Sequence, residues 1–372
     1  MKIGSETDKI ALQPQASAFS HMDEDEELVA PIELYEHFSI TVDKGQSPLR
    51  IDKFLVDKMA DTSRNRISQA AEAGAIFVNG SPVRSNYKVK PLDKISLRLD
   101  RPPHEFEILK EDIPLDIVYE DEYLLVINKP AGLVVHPGHG NYTGTMLNGI
   151  AYHLRNTASY DPTDPRLGLV HRIDKDTSGL LVVAKTPEVK AHLSQQFYNK
   201  TTRRQYLTVV WGIPKEERGV IRTNLARDPK DRMIFATYPY EGETGKTAVT
   251  HYSLLEPLGY VALLKCILET GRTHQIRVHM KSIGHPIFND ARYGGDQILR
   301  GNRYAKYHQF VRNCFQYCPR QALHAHTLGF YHPMLQQEMD FTAPIPPDMQ
   351  LLLDRWKGFV SPTVQEAETE YL

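Results

Sequence analysis

Midway along the chain, His171-Arg-Ile-Asp-Lys-Asp-Thr-Ser-Gly179 packs charged and hydroxyl side chains between two apolar runs, Leu167–Val170 and Leu180–Val183. Both runs read as strands. Charge placed between buried strands is costly unless it is paired or bound, so this segment limits what the chain can fold into. Either it is a surface turn, where Asp, Thr, Ser and Gly are common, or it lines a site. Local composition alone favours the turn.

Three further segments shift that balance. Glu269-Thr-Gly-Arg-Thr-His-Gln-Ile-Arg-Val-His279 follows a strand read at Val261–Leu268 and turns at Gly271. Thr273 is placed to cap a helix bearing His274, Arg277 and Lys281. Arg277 would then be a fixed cation able to clamp a carboxylate through two hydrogen bonds. Arg203-Arg-Gln-Tyr206 opens a strand through Val210 and sets an aromatic hydroxyl beside cations. Asn128-Lys-Pro-Ala-Gly-Leu133 is a loop with Pro and Gly at fixed places.

The surrounding pattern gives two domains. Residues 1–37 hold nine acids and two lysines and read as a disordered acidic tail. Residues 48–101 form a compact unit. Ile51, Phe54, Leu55 and Met59 fall at helical spacing, and a second helix capped by Ser63 runs through Ile67 to Gly74. Ile76–Val78, the Asn79-Gly80 turn and Val83 read as a hairpin, with a last strand through Ile95 and Leu97. Arg101-Pro-Pro103 breaks the pattern as a linker. Residues 108–357 form a larger α+β region with a mainly antiparallel sheet. It includes a hairpin from Ile117 to Ile127 and a helix begun by Pro187 with Val189, Leu193 and Phe197 on one face. Residues 358–372 form a second acidic tail.

Charge sharpens this division. The chain has 44 Lys+Arg against 46 Asp+Glu, a net charge of −2. The tails contribute −7 and −3, which leaves +8 on the body. Residues 44–101 supply +6 of it, with twelve bases against six acids. A basic unit points to nucleic acid. Three cysteines cannot build a disulfide framework. The N-terminus has no apolar signal core, and no apolar run approaches the roughly 18 residues of a membrane span. A cytoplasmic protein that works as a monomer, away from membranes, is expected.

These residues reach a family. His171-Arg-Ile-Asp-Lys-Asp-Thr-Ser-Gly-Leu180 resembles the H-R-x-D-x-x-T-S-G-L signature of the RluA-type pseudouridine synthases. Asn128–Leu133 and Thr270–His279 resemble their other two motifs. Arg50-Ile-Asp52, Ser63-Arg64, Gly74, Val78-Asn-Gly80 and Asp93 resemble the S4 RNA-binding module. With Arg320-Gln-Ala-Leu-His-Ala325 and Ala343-Pro-Ile-Pro-Pro-Asp-Met349, the chain is most similar to the RluD branch, which acts on large-subunit ribosomal RNA. The resemblance spans roughly residues 48–355.

The resemblance implies an S4-like domain before a mainly antiparallel mixed-sheet catalytic domain, with RNA as partner, ribosomal in the first place and transfer RNA as the alternative. A non-catalytic ribosome-assembly factor is the rival outside the enzymes. Asp174 becomes the catalytic carboxylate, attacking or stabilising the sugar as the uracil–ribose bond breaks. Arg172 fills the place of the flipped uridine, which leaves its stack at a cost of a few kcal/mol. Tyr206 stacks on uracil and can serve proton transfer at C5. Arg277 pairs with Asp174 and keeps it ionised, and Leu268 packs on the base. Arg50, Arg64, Arg66 and Lys88 meet phosphates. The chemistry calls for no cofactor and no metal. One carboxylate in a dry pocket suffices, whereas water-using glycosidases need two.

Asp176 competes with Asp174 by proximity, but the motif selects Asp174. His171 is expected to orient the loop. The pair Cys314 and Cys318, followed by His324 and His326, lacks the spacing of a zinc finger. Residues 294–320 interleave Arg300, Arg303, Lys306, Arg312 and Arg320 with Tyr304, Tyr307, Phe310, Phe315 and Tyr317. RNA contact is weighed slightly above packing there.

Overall fold

A computed structural model of the chain describes residues 35–59, 62–99, 108–138, 141–157, 164, 166–231 and 233–360. The Arg101-Pro-Pro103 linker and nearly all of both acidic tails lie outside these residues. The chain divides into two compact units, residues 1–105 and 106–372.

In the small unit β1 (Tyr35–Thr41), α1 (Ile51–Lys58), α2 (Arg64–Glu72), β2 (Ile76–Val78), β3 (Ser81–Pro82) and β4 (Lys94–Leu99) follow in order. The sheet runs β1-β4-β2-β3. Ile51, Phe54 and Leu55 of α1 and Ile67 and Ala71 of α2 bury against Ile76, Val78 and Ile95. Ser63 caps α2 by accepting the Arg66 N–H at 3.4 Å. Asn79 and Gly80 take φ of 51° and 85°, the pair of positive values a two-residue hairpin turn needs. One correction falls here. β1 begins at Tyr35, inside the segment read as a tail, because pairing with β4 along its whole length supplies the order that its own composition does not.

The large unit is built on a ten-stranded sheet. Its strands are β5 (Ile117–Glu120), β6 (Leu124–Lys129), β7 (Ser178–Ala184), β8 (Arg203–Trp211), β9 (Arg218–Arg227), β10 (Phe235–Tyr238), β11 (Lys246–Leu258), β12 (Val261–Leu268), β13 (Leu323–His332) and β14 (Gln337–Thr342). They order as β10-β9-β11-β12-β8-β13-β7-β6-β5, with β14 on β13. Every pairing is antiparallel except β13 with β7. The helices are α3 (Met146–Leu154), α4 (Pro187–Asn199), α5 (Gln275–Ser282), α6 (Ala305–Tyr317) and α7 (Pro347–Val360).

β7 is buried from end to end, and apolar from Leu180 to Ala184, because both its faces are covered. Leu181 and Val183 join one core with Leu125, Ile127 and α3, while Leu180 and Val182 join another with Val189 and Leu193 of α4. Gly179 explains the glycine of the Thr-Ser-Gly run: a Cβ there would sit 2.2 Å from the Ala325 carbonyl oxygen of β13. Only glycine lets the one parallel pair close.

Three expectations are corrected. Leu167–Val170 is not a strand. Leu167 and Gly168 turn to positive φ, and only Leu169 bridges to Val183. The apolar side chains fill the core, but the backbone is spent on a turn. His274 is not inside the helix but caps it in a left-handed conformation, φ 57° and ψ 18°, and Thr273 makes no cap. The aromatics of 294–320 mostly pack on the body. Tyr307 is buried, Phe310 stacks on Phe359 and meets Trp356 edge-on, and Phe315 lies against Phe288 and Trp211. Tyr304 alone of the five is widely exposed. Cys314 and Cys318 are buried thiols, and His324 bonds Ser178 Oγ at 3.0 Å.

Candidate active site

The charged loop between Val170 and β7 opens an inlet of about 680 Å³, a size suited to a small organic group. Its wall includes Arg172, Asp174, Tyr206, Leu268 and Arg277. The structure therefore brings together all five residues singled out in this region. Asp176 is not on the wall.

The loop is strapped from both sides. Lys129, fully buried at the end of β6, donates to the carbonyls of Pro130, Leu133 and Lys175 at 2.7, 2.9 and 2.8 Å. Burial, then the charge of Arg320, pushes its pKa down to about 7 against the pull of Asp176 and Asp174. From the other side Arg320 donates to the Asp176 carbonyl at 3.0 Å and to Ser178 Oγ at 3.3 Å, and its fork is fixed on Asp348 at 2.6 and 3.0 Å. Backbone carbonyls of a polar loop thus find buried donors, which offsets the cost of placing it between strands.

His171 accepts the Val182 N–H at 3.0 Å and stacks on Phe197 of α4. Burial, then the charge of Arg204, pushes its pKa down to about 3, so it stays neutral and orients the loop.

Asp174 is held from α5. Arg277 Nη1 donates to Asp174 Oδ2 at 3.0 Å, while its Nε and Nη2 grip Asp290 at 2.7 and 2.8 Å. Burial alone would lower the Arg277 pKa; the bond and charge of Asp290, then Asp174, hold it above the ordinary value. The guanidinium lies over the Tyr293 ring, 5.1 Å from its centre. Tyr293 Oη meets His274 Nδ1 at 2.9 Å and accepts the Phe235 N–H at 3.0 Å. The left-handed turn at His274 leaves its Nε2 at 3.9 Å from Asp174 Oδ2. Such a turn costs a non-glycine residue about 1–3 kcal/mol, and the ring contacts offset it.

Asp290 and Tyr293 escaped the sequence reading. They sit in Asn289-Asp-Ala-Arg-Tyr-Gly-Gly295, whose composition is that of a plain turn, and only the fold carries it under Arg277. Tyr206 is 8 % exposed. Burial raises its pKa, with Arg204 opposing and Asp174 adding, so it stands as a neutral phenol. Leu268 is likewise nearly buried, and Arg172 is exposed at the rim. Among the described residues no group of three or more His, Cys, Asp or Glu is placed to share a metal ion.

The four basic residues of the small unit are differently placed. Arg50 and Arg64 both bond the buried carboxylate of Asp52, at 2.9–3.1 Å, so their charges are partly committed. Burial pushes the Asp52 pKa up, but these two partners hold it below the ordinary value. Arg66 and Lys88 are exposed.

Comparison with known proteins matches each unit to a family. Residues 123–282 match the family described as RNA pseudouridylate synthase, and residues 49–95 match the S4 domain. A Chlorobaculum parvum protein named as an uncharacterized RNA pseudouridine synthase is 47% identical over 318 residues, 85% of this chain and 97% of the relative. A Bacillus subtilis protein of the same description is 42% identical over 85% of this chain and 96% of its own length. The Zymomonas mobilis ribosomal large subunit pseudouridine synthase D is 43% identical over 84% of this chain and 95% of the relative. With an S4 domain ahead of a synthase domain, the chain belongs to the RNA pseudouridine synthase family, whose members are isomerases.

Proposed function

We propose that the protein converts uridine to pseudouridine in large-subunit ribosomal RNA, with Asp174 as the catalytic carboxylate. The observation that carries this reading is the Asp174–Arg277–Asp290 line. It fixes one carboxylate on the wall of a nucleoside-sized inlet, beside a buried phenol and an apolar side chain. The large-subunit substrate is supported by the name of the Zymomonas mobilis relative.

The reaction is balanced within the nucleotide. The C1′–N1 bond breaks, the uracil turns, the C1′–C5 bond forms, and the C5 proton is replaced by one at N1. Arg277 aims the Asp174 carboxylate at the sugar, where it stabilises the positive charge that develops at C1′. Tyr206, a neutral phenol, stacks on the uracil and passes a proton, while Leu268 closes the apolar side. Burial of the wall keeps out water that would trap the sugar. Arg172 at the exposed rim takes the place the uridine leaves in its stack. Arg50, Arg64, Arg66 and Lys88 of the S4 domain meet phosphates without reading sequence.

The test is to map pseudouridines in ribosomal and transfer RNA from cells with and without this protein. Sites lost only from large-subunit RNA are expected. Loss confined to transfer RNA would overturn the substrate, and no loss in either would overturn the function.

A further inference from the structure

Among the described residues of the large unit, three arginines are nine-tenths buried or more: Arg204, Arg277 and Arg320. Arg277 has Asp174 and Asp290, and Arg320 has Asp348. Arg204 is paired with no carboxylate among the described residues. It is 7% exposed, and its Nε is buried without a hydrogen-bond partner. The acids on the wall beside it are engaged elsewhere: Glu269 Oε1 meets His251 at 2.6 Å, and Asp174 meets Arg277. The Phe197 ring lies under the guanidinium, its centre 5.4 Å from Cζ, but an aromatic face supplies no full counter-charge. A buried cation without an anion is expensive, and this one faces the inlet.

Arg204 and Tyr206 are two residues apart on β8, so they share a face about 7 Å apart. That spacing leaves room for a stacked base at one and an anionic group at the other. Gly271, also on the wall, keeps the space for the guanidinium: a Cβ there would lie 2.9 Å from Arg204 Nη1. Uracil is neutral and does not supply the missing charge. The nucleotide's backbone phosphate does, and its oxygens fit the fork of an arginine.

We propose that Arg204 receives the backbone phosphate next to the uridine held in the inlet, so that the site recognises its nucleotide through the phosphate as well as the base. The inference rests on the reading that the inlet takes a uridine of RNA. It makes Arg204 a substrate-binding residue, and Gly271 the position that lets it reach.

The experiment uses the full-length protein and a synthetic fragment of large-subunit ribosomal RNA spanning a converted uridine. The fragment carries either natural phosphates or a single neutral methylphosphonate on one or the other side of that uridine. In the wild type, one of the two neutral linkages should lower kcat/KM about 10- to 100-fold, the scale of one charged hydrogen bond. Arg204→Gln should lose the same factor on natural RNA, mostly in KM, and should lose nothing more on that neutral linkage. Arg204→Lys, which keeps the charge, should recover part of the loss, and Gly271→Ala should lose part of it. Equal further losses in wild type and Arg204→Gln would overturn the contact, as would a wild type indifferent to both linkages. Should Arg204→Gln not fold, Arg204→Lys and Gly271→Ala decide by the same comparison. A wild type that converts no uridine in ribosomal or transfer RNA overturns the functional reading and this inference with it. Normal turnover with additive losses overturns this inference alone.

Discussion

The two units place arginine and aspartate in opposite ways. In the small unit one buried carboxylate, Asp52, with 1% of its side chain exposed, holds Arg50 and Arg64, whose side chains are 42% and 55% exposed. In the large unit one buried cation, Arg277, 6% exposed, is held between Asp290 at 0% and Asp174 at 22%. The first arrangement turns positive charge outward, where it attracts phosphates through solvent. The second spends its charge inside and leaves a single carboxylate at a fixed place. One unit is built to grip and the other to aim, which is why the basic excess lies in the smaller.

The contrast can be broken most sharply at Asp290. Asp290→Ala leaves Arg277 buried with Asp174 alone, and removing one partner of a buried pair costs about 3–5 kcal/mol. A large fall in the urea midpoint is expected, with slower turnover because Asp174 loses its aim. An unchanged midpoint would show that Asp290 is not the anchor.

Acid should separate the units next. In the large unit, burial pushes His171 down to about 3 and His274, His279 and His324 down to about 4. Unfolded, such residues titrate near 6.5. Between pH 6.5 and about 4.5 the unfolded chain therefore binds protons that the folded unit refuses, so stability falls as pH falls, by at most ~1.4 kcal/mol per pH unit for each histidine. In the small unit Asp52 and Asp93 lie below the ordinary carboxylate value: burial raises both, but their hydrogen bonds win. Their contribution is present above the unfolded value of 3.8 and is lost only below it. Hydrogen exchange at pH 7 and pH 5 should show protection falling in the large unit and holding in the small one. Equal losses would contradict the difference.

The smallest effect is expected at Asp52. Asp52→Asn releases two arginines that already reach water, a change of about 1 kcal/mol. RNA affinity should hold or rise, and its salt dependence should steepen if Arg50 and Arg64 then meet phosphates more freely. A slope that fell would mean that Asp52 positions them.

What the sequence made legible follows from how local each feature is. Asp174 and Arg277 could be named in advance because each stands in a short ordered motif, whereas Tyr206 and Leu268 lie outside the three motifs and were named through the resemblance. β7 and β12 could be placed because their apolar runs, Leu180–Ala184 and Val261–Leu264, are long enough to read as strands. Asp290 was not legible, since its role is a contact across the fold made from an ordinary turn. The same holds for the isolation of Arg204, which is a fact about what surrounds it. Leu167–Val170 misled because apolar side chains can fill a core from a turn as well as from a strand. The aromatics of α6 misled because helical spacing serves core packing and base stacking alike.

The central claim is that one carboxylate, held by Arg277, carries the isomerisation. It is tested most directly by comparing purified wild type with Asp174→Asn on large-subunit ribosomal RNA, following pseudouridine formation and RNA binding together. Asp174→Asn should bind RNA within a few-fold of wild type and form pseudouridine at least ~10³-fold more slowly, the scale seen when a nucleophilic or electrostatic group is lost. Turnover within tenfold of wild type would contradict the account.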